Sequence, residues 1–249
     1  MYPRESPDCM RRQRCTKNKK NYICRLAMPA LRLTRSPIVR KTIRSMNVDF
    51  WNQRYSEQGW AYGLNPNDFF RRWLAYHQPG RLLLPCEGEG RQALHAARLG
   101  WQVEAFDQSE AGKNKALEQA RLENLSVDYR IMDALNYQSE PVHDGLALIY
   151  AHFPVDIRLR VHRNLGAALR PGGWVLVEGF HTNQVGKPSG GPQQQPDMLF
   201  EPHQLEGDFE GFEVLLSQVL DIRLGEGKYH QGEASVCRFI AKKPVVNSQ

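Results

Sequence analysis

Residues 81–107 read RLLLPCEGEGRQALHAARLGWQVEAFD, and this stretch decides the fold. The apolar run at 82–84 predicts a buried strand, the turn that follows contains Gly88 and Gly90, and a helical segment leads to a second strand ending at Asp107. Glycines let the backbone approach a ligand closely, a helix start offers unpaired N–H groups, and an acidic residue after the second strand accepts hydrogen bonds from ribose hydroxyls. The stretch therefore predicts a β–α–β unit that holds a nucleoside-bearing cofactor.

The same alternation of strands and helices continues along the chain. Helices are predicted over residues 47–55 and 67–76, before the alternating part begins. The alternating strands are predicted over residues 81–84, 102–106, 127–131, 145–150 and 174–179, and the intervening helices over 91–99, 111–124 and 156–169. The last of these helices is expected to stop at Arg170-Pro171-Gly172-Gly173, which turns the chain into the fifth strand. Such alternation predicts parallel strands joined by right-handed crossovers, with helices on both faces of the sheet.

The pattern changes after the fifth strand. Residues 186–197, GKPSGGPQQQPD, are too rich in glycine and proline for a regular element, and we expect them to form a lid. A short helix is predicted over 201–209, followed by strands over 212–220 and 234–241 that pair antiparallel across residues 221–233. The expected fold class is thus α/β: a three-layer, doubly wound, mostly parallel seven-stranded sheet with a C-terminal antiparallel hairpin.

The formal net charge of +6 is distributed unevenly. Residues 1–45 carry 13 of the 33 Lys and Arg residues but only two of the 27 Asp and Glu residues, so the rest of the chain is acidic. We expect residues 1–45 to be a disordered basic leader, residues 46–243 to form one folded domain, and residues 244–249 to be a tail. Three interpretations of the leader stay open: an organellar transit peptide, a nucleic-acid-binding arm, or an extension upstream of a true start at Met46. The acidic domain argues against nucleic acid as a substrate.

The composition disfavours several classes of protein. The five cysteines include no C-x-x-C pair, which argues against a disulfide framework and a structural zinc site, and the eight histidines show no metal-ligand spacing. No apolar run reaches the length of roughly 18 residues that a membrane span needs. We therefore expect a cytoplasmic protein with no metal ion and no membrane partner.

Five motifs follow one another in an order that is typical of one enzyme class. They are LLLPCEGEGR at 82–91, VEAFD at 103–107, IMDA at 131–134, LIYAHFP at 148–154 and LRPGGWVLVEGF at 169–180. In this order and spacing they resemble the class I S-adenosylmethionine-dependent methyltransferases. The segments FWNQRY at 50–55 and YGLNPN at 62–67 make the resemblance nearest to the small bacterial tellurite-resistance and thiol methyltransferases.

The resemblance implies a Rossmann-like methyltransferase fold, S-adenosylmethionine as cofactor, and a small-molecule methyl acceptor such as a thiol, a metalloid oxyanion or a heterocycle. The protein would be a monomer or a homodimer. Asp107 would accept hydrogen bonds from both ribose hydroxyls, and Asp133 would accept one from the adenine amino group. In all, nine residues near the strand ends are expected to contact the cofactor: Cys86, Glu87, Gly88, Gly90, Asp107, Gln108, Asp133, Ala134 and Tyr150.

Two positions depart from the pattern of many relatives. Leu84 stands where they carry an acidic residue, and Cys86 replaces the first glycine of the turn. The missing carboxylate ordinarily helps to hold the ammonium group of the cofactor. Either Glu87 takes over this role, or the affinity for the cofactor is lower.

The acceptor side of the site rests on positional arguments. Methyl transfer requires positioning of the acceptor and sometimes removal of a proton. His152 follows the fourth strand, where an acceptor would lie, and is the candidate general base; alternatively it only shapes the pocket. His203 and His230 are expected to be ordinary surface or loop histidines. The further candidate pocket residues are Tyr62, Glu178 and His181.

Other interpretations of these residues stay open. The glycine turn also suits a nicotinamide-dinucleotide-binding oxidoreductase, and the departures at Leu84 and Cys86 also suit a catalytically silent cofactor-binding protein. Alternatively, Asp107 is only a helix cap, Asp133 an exposed turn residue and Cys86 a nucleophile.

Overall fold

The computed structural model describes residues 48–245, which form one seven-stranded sheet covered by helices. The strands are β1 (Arg81–Pro85), β2 (Gln102–Asp107), β3 (Asp128–Ile131), β4 (His143–Ile149), β5 (Leu169–Phe180), β6 (Glu213–Glu226) and β7 (His230–Lys242). The helices are α1 (residues 48–55), α2 (Asp68–Ala75), α3 (Arg91–Arg98), α4 (Glu110–Leu122), α5 (Val155–Ala167) and α6 (Pro202–Asp208). Short 3₁₀ turns occur at Ala134–Asn136, Thr182–Gln184 and Pro196–Met198.

The strand order is β3-β2-β1-β4-β5-β7-β6. Strands β1 to β5 are parallel to their neighbours in this group, and β7 lies antiparallel between β5 and β6. The chain winds in one direction from β1 and in the other from β4, which places a topological switch point between these two strands. The doubly wound α/β fold with a C-terminal antiparallel hairpin, predicted from the sequence, is confirmed.

The three leucines of β1 show why the sheet is buried on both faces. Leu83 belongs to an apolar cluster that contains Val161 of α5, whereas Leu82 and Leu84 belong to a second cluster that contains Phe70 of α2. Successive side chains of a strand point to opposite faces, so a central strand between two helical layers needs an unbroken apolar run. The run at 82–84 therefore fixes β1 in the middle of the molecule.

The C-terminal hairpin is longer than the sequence pattern predicted. β6 continues to Glu226 and β7 begins at His230, so the connection is residues 227–229 and not the expected 221–233. The pairing of β5 with β7 ends at Phe180, so the distal half of the hairpin extends past the carboxyl end of β5.

The extra length has a packing reason. Leu224 is buried, and together with Phe180, Leu199 and Val236 it forms a third apolar cluster, against which Ile222 also packs. The alternation of apolar and polar residues in β6 thus continues through the part of the sequence that we expected to be a loop.

The segment Arg170-Pro171-Gly172-Gly173 also differs from its prediction. α5 ends at Ala167 and β5 begins at Leu169, so these four residues interrupt a strand and do not separate a helix from it. They fall where the register of β4 and β5 shifts, and Gly172 has a φ of 80°. A bulge accommodates residues that a regular strand would exclude, including proline and left-handed glycine.

Some predictions fall outside the described residues. The leader predicted at 1–45 and most of the tail predicted at 244–249 lie outside residues 48–245. Within residues 48–245, no helix combines the length and the apolar character needed to cross a membrane.

Leu224→Ala should lower the free energy of unfolding by about 2–4 kcal/mol, because it would leave a cavity in the cluster beneath the hairpin. Leu122→Ala is the matched control, since Leu122 is 61% exposed, and it should change stability by less than about 0.5 kcal/mol. Urea denaturation of both variants measures the difference. If both variants lose an equally small amount of stability, the cluster does not hold the hairpin.

Candidate cofactor and acceptor site

The backbone is strained on both sides of the switch point. Cys86 directly follows β1 and Tyr150 directly follows β4, and each has a φ of 55° although neither is glycine. The only other described non-glycine residue with positive φ is Asn124, a residue type that tolerates this conformation after a helix. Such strain costs on the order of 1–3 kcal/mol per residue and concentrates at functional sites. Two strained residues at adjacent strand ends mark this edge of the sheet as the candidate site.

The glycine turn after β1 is held on three sides. The Gly88 N–H donates to Asp107 Oδ2 at 3.0 Å, and the Gly88 carbonyl accepts from the Tyr129 hydroxyl at 2.6 Å. A Cβ at position 88 would lie 2.5 Å from the Tyr55 hydroxyl oxygen, and the φ of Gly88 is 58°. Only glycine fits here, which places the turn directly against the end of β2.

Glu87 closes the start of α3 from inside the turn. Its Oε1 accepts from the backbone N–H groups of Gln92 and Ala93 at 2.8 and 2.7 Å, and Gly90, the residue before the helix, supplies no side-chain cap. Burial raises the pKa of Glu87 to about 8, against the opposing effect of these two hydrogen bonds and of Arg91. The first N–H groups of α3 are therefore engaged by the chain's own carboxyl group.

Asp107 lies at the end of β2 and faces the glycine turn. Besides the bond from Gly88, its carboxylate accepts from the Ser109 N–H at 2.8 Å. Burial raises its pKa to about 6, although the backbone hydrogen bonds oppose this shift. Ser109 itself caps α4 through the Gly112 N–H, so α4 does not require Asp107 as its cap. Asp107 is therefore not the cap of α4.

The predicted adenine-side residues lie after β2 and β3. Asp133 accepts from the Leu135 N–H at 2.8 Å and caps the 3₁₀ turn at Ala134–Asn136, while Ala134 is buried. Asp133 thus lies in a turn, as its alternative interpretation states, but it is half-buried and not exposed. Gln108 is half-buried, and its backbone N–H hydrogen-bonds Asp107.

Cys86 is poorly suited to act as a nucleophile. Burial and the nearby carboxylates of Asp107 and Asp133 raise the pKa of its thiol well above the ordinary value. The thiolate is the reactive form, and these surroundings disfavour it. Cys86 is therefore best explained as a backbone turn residue.

His152 lies after β4 with both ring nitrogens engaged. Nδ1 donates to the Met198 carbonyl at 2.9 Å, and Nε2 accepts from the Phe180 N–H at 3.1 Å. Its ring stacks on Phe200 at 4.7 Å, and burial lowers its pKa to about 4. A base needs a free lone pair, so this arrangement favours the alternative in which His152 shapes the pocket.

His181 is engaged in the same way. Its Nε2 lies 3.2 Å from Glu201 Oε2, and its Nδ1 accepts from the Asn183 N–H at 3.1 Å, which caps a 3₁₀ turn. These contacts tie the end of β5 to the start of α6. The ring is buried, and nothing in its contacts directs it toward an acceptor.

The remaining predicted pocket residues, the buried Glu178 and the half-buried Tyr62, both accept hydrogen bonds. Glu178 is fully buried and accepts from the Tyr150 hydroxyl at 3.0 Å, from Asn67 and from Arg238. The Tyr62 hydroxyl accepts from Arg54 at 3.0 Å. Tyr150 thus joins the switch point to Glu178, and the side chain of Glu178 holds several elements together.

The N-terminal segment and the hairpin tip meet above this edge of the sheet. Glu89 accepts from the Ala61 N–H at 2.8 Å and from Lys115 at 2.9 Å, which fixes the segment after α1 on the glycine turn. The Ala61 carbonyl accepts from the Lys228 N–H at 2.9 Å, and Glu57 accepts from the Tyr229 hydroxyl at 2.6 Å. The site is therefore covered by two segments that are distant in the sequence.

Neither of two surface cavities lies at the switch point. One of about 310 Å³ is lined by α5, the end of α6 and Lys243, and the other, of about 360 Å³, by Trp73, Trp101 and Trp174 at the opposite edge of the sheet. Among residues 48–245, no cluster of His, Cys, Asp and Glu is arranged to hold a metal ion.

Solved structures share this architecture over most of the chain. One, from work on the conversion of a disulfide bond into a thioacetal group during echinomycin biosynthesis, is 16% identical, with a TM-score of 0.63, covering 81% of this chain and 94% of that one. TehB from Haemophilus influenzae is 18% identical, with a TM-score of 0.60 and coverage of 79% and 66%. Magnesium protoporphyrin IX methyltransferase (ChlM) from Synechocystis PCC 6803, solved with bound S-adenosylhomocysteine, is 14% identical, with a TM-score of 0.54 and coverage of 83% and 98%.

This is the fold of the class I S-adenosylmethionine-dependent methyltransferases. The fold that the sequence resemblance implied is confirmed. No protein-family model matches the chain, and neither does any curated protein. Because fold alone does not determine function, the activity depends on the residues that this fold places together.

The sequence did not reveal two residues that the hairpin brings to this edge of the sheet. His230 was expected on the surface, yet it is buried with its ring 4.4 Å from Tyr62 and 4.5 Å from Tyr150. Glu226 lies 3.4 Å from its Nδ1 and accepts from Arg91 at 2.8 Å. The signal was the alternation of apolar residues through 222–224, which would have extended both strands to these two positions.

Glu87→Gln should flatten the pH dependence of stability. A folded-state pKa of about 8, above the ordinary value of 4.5, means that ionisation opposes folding, so the wild-type protein loses stability as the pH rises between these values. From about pH 6 to pH 8, ionisation of Glu87 should lower the free energy of unfolding by about 2 kcal/mol. The glutamine, which keeps the Oε1 acceptor, should not titrate.

Urea denaturation across this range compares the wild type with Glu87→Gln. Glu118→Gln, which changes an exposed glutamate of α4, is the matched control and should follow the wild-type curve. If the Glu87→Gln curve also runs parallel to the wild type, the assignment of a raised pKa to Glu87 is wrong.

Proposed function

We propose that the chain binds S-adenosylmethionine at the carboxyl edge of the sheet and transfers its methyl group to a small-molecule acceptor. The observation that carries this proposal is the position of Glu87. A dinucleotide's pyrophosphate binds to open N–H groups at the helix start, and in this chain a carboxyl group already occupies them. S-adenosylmethionine has no phosphate, so it does not need these N–H groups. The dinucleotide-binding alternative is disfavoured for this reason.

The residues around the turn fit such a cofactor. Asp107 presents a buried carboxyl group at the end of β2, which would accept hydrogen bonds from ribose hydroxyls, while Gly88 and Gly90 let the turn pack closely on Tyr55 and Ala116. Asp133 and Ala134 follow β3, on the side where the adenine would lie. When bound, the cofactor would supply a methyl group on a positively charged sulfur. A nucleophile attacks the methyl carbon in line with the carbon–sulfur bond, and the sulfur leaves as a neutral thioether.

The protein's own part would be to position the acceptor and exclude water. Residues 186–197, the predicted lid, lie over the ends of β5 and β7: a Cβ on Gly191 would meet Phe180, and one on Gly190 would meet Tyr229 and His230. Ser189 fixes this segment by donating to the Glu233 carbonyl at 2.6 Å. This segment covers the aromatic rings of Phe180 and His230, which supports a small acceptor rather than a macromolecule.

Asp107→Asn should weaken binding of S-adenosylmethionine by about 10- to 100-fold, because an ionised acceptor of hydroxyl hydrogen bonds becomes a neutral amide. Isothermal titration of the full-length protein with S-adenosylmethionine, and separately with nicotinamide dinucleotides, tests both the site and the cofactor. Glu118→Gln should bind like the wild type. Binding of a dinucleotide in place of S-adenosylmethionine would overturn the proposal.

The affinity for S-adenosylmethionine should rise with pH through about pH 6. The ribose hydroxyls would donate to the ionised Asp107 carboxylate, and below its pKa of about 6 the proton competes with them. Titrations over the acidic range should therefore show binding that weakens as the pH falls, a dependence that Asp107→Asn should lack. Identical pH profiles for the two proteins would remove Asp107 from the ribose assignment.

The acceptor class is identified by a transfer assay with methyl-labelled S-adenosylmethionine. We propose small thiols, selenite or tellurite, and small heterocycles as the panel, since TehB shares the fold. Transfer to none of these by a protein that binds the cofactor would favour the catalytically silent alternative.

A further inference from the structure

A histidine that the cofactor side does not use is buried on the acceptor side. His230 is the first residue of β7 and is 5% exposed. Its ring lies 4.4 Å from that of Tyr62, 4.5 Å from that of Tyr150 and 5.3 Å from that of Phe180. Because Tyr150 directly follows β4, these contacts bring His230 to the switch point from the hairpin side.

One nitrogen of His230 is oriented by a carboxylate. Nδ1 lies 3.4 Å from Glu226 Oε2, which also accepts from Arg91 at 2.8 Å, while Glu226 Oε1 accepts from Asn67 at 3.3 Å. Burial alone would raise the pKa of Glu226, but the hydrogen bond from His230 and the Arg91 guanidinium hold it at about 2. The ionised carboxylate therefore keeps the proton of the neutral imidazole on Nδ1.

The other nitrogen is free. Nε2 of His230 has no hydrogen-bond partner among residues 48–245, and it is not sealed from solvent as Nε2 of His162 is. By contrast, both nitrogens of His152 are taken by backbone groups. Burial lowers the pKa of His230 below its ordinary value, against the effect of Glu226, so the ring is neutral at pH 7 with a lone pair on Nε2.

We propose that His230 is the catalytic base of the acceptor site, with Glu226 as its positioning residue. Nε2 takes the proton from the S–H, O–H or N–H group of the acceptor, and the electron pair of the broken bond stays on the heteroatom. The resulting imidazolium is stabilised by the Glu226 carboxylate. The inference rests on the proposed function and narrows the acceptor to molecules that carry a removable proton on the reacting atom.

Chemical modification tests the free nitrogen without any acceptor or cofactor. Diethyl pyrocarbonate acylates neutral, accessible imidazole nitrogens, and peptide mass mapping of the treated full-length protein locates the products. His230 should be modified more slowly than His203, which is exposed on α6, whereas His152 should stay unmodified in the native protein. If His203 is fully modified and His230 is not modified at all, the proposal is wrong.

Two thiols of different acidity distinguish a role of His230 in proton removal from a role in shaping the pocket. The thiol of 2-mercaptoethanol is protonated at neutral pH, whereas 4-nitrobenzenethiol is already ionised and needs no base. His230→Gln should lower the rate of methyl transfer to 2-mercaptoethanol by about 100-fold and the rate with 4-nitrobenzenethiol by no more than a few fold. His203→Gln is the matched control and should leave both rates unchanged.

The outcomes also separate this inference from the proposed function. If the wild-type protein fails to bind S-adenosylmethionine in the calorimeter, the proposed function is wrong. If wild type and His230→Gln bind it equally but the variant loses the same factor with both thiols, His230 only shapes the pocket and this inference alone is wrong.

Discussion

The contact between the Glu87 carboxyl group and the first N–H groups of α3 is the constraint on which the cofactor side depends. The start of a buried helix needs partners for these donors, and leaving them unpaired is costly. In this chain the partner comes from the turn that precedes the helix, which locks β1, the turn and α3 together. Gly88 is thereby held where its N–H reaches Asp107.

The two sides of the site hold their carboxyl groups in opposite ways. Asp107 is surrounded by neutral backbone donors, so burial dominates and its pKa rises to about 6. Glu226 is half-buried, and a guanidinium and an imidazole face it, so its pKa falls to about 2. Asp107 can therefore change its protonation near neutral pH, whereas Glu226 keeps a fixed negative charge beside His230.

The sequence predicted the β–α–β unit of residues 81–107 because its signals are local. The leucine run, the glycines at 88 and 90 and the acid at 107 lie within one β–α–β unit, and each is demanded by backbone geometry at that point. The part of the candidate site around His152 and His230 depends on contacts that no local pattern encodes. The partners of His152 are backbone groups of Met198 and Phe180, which any residue type would supply. His230 was missed because the hairpin was predicted to be too short.

The docking of the hairpin tip on the N-terminal segment affects the order in which the molecule assembles. Glu57 and Lys228, which form an ion pair there, are 171 positions apart in the chain. During synthesis, the β–α–β unit that faces the cofactor leaves the ribosome long before the hairpin does, and contacts of such large sequence separation form late in folding. The part of the candidate site that includes His230 is therefore completed last, when nearly the whole chain has emerged.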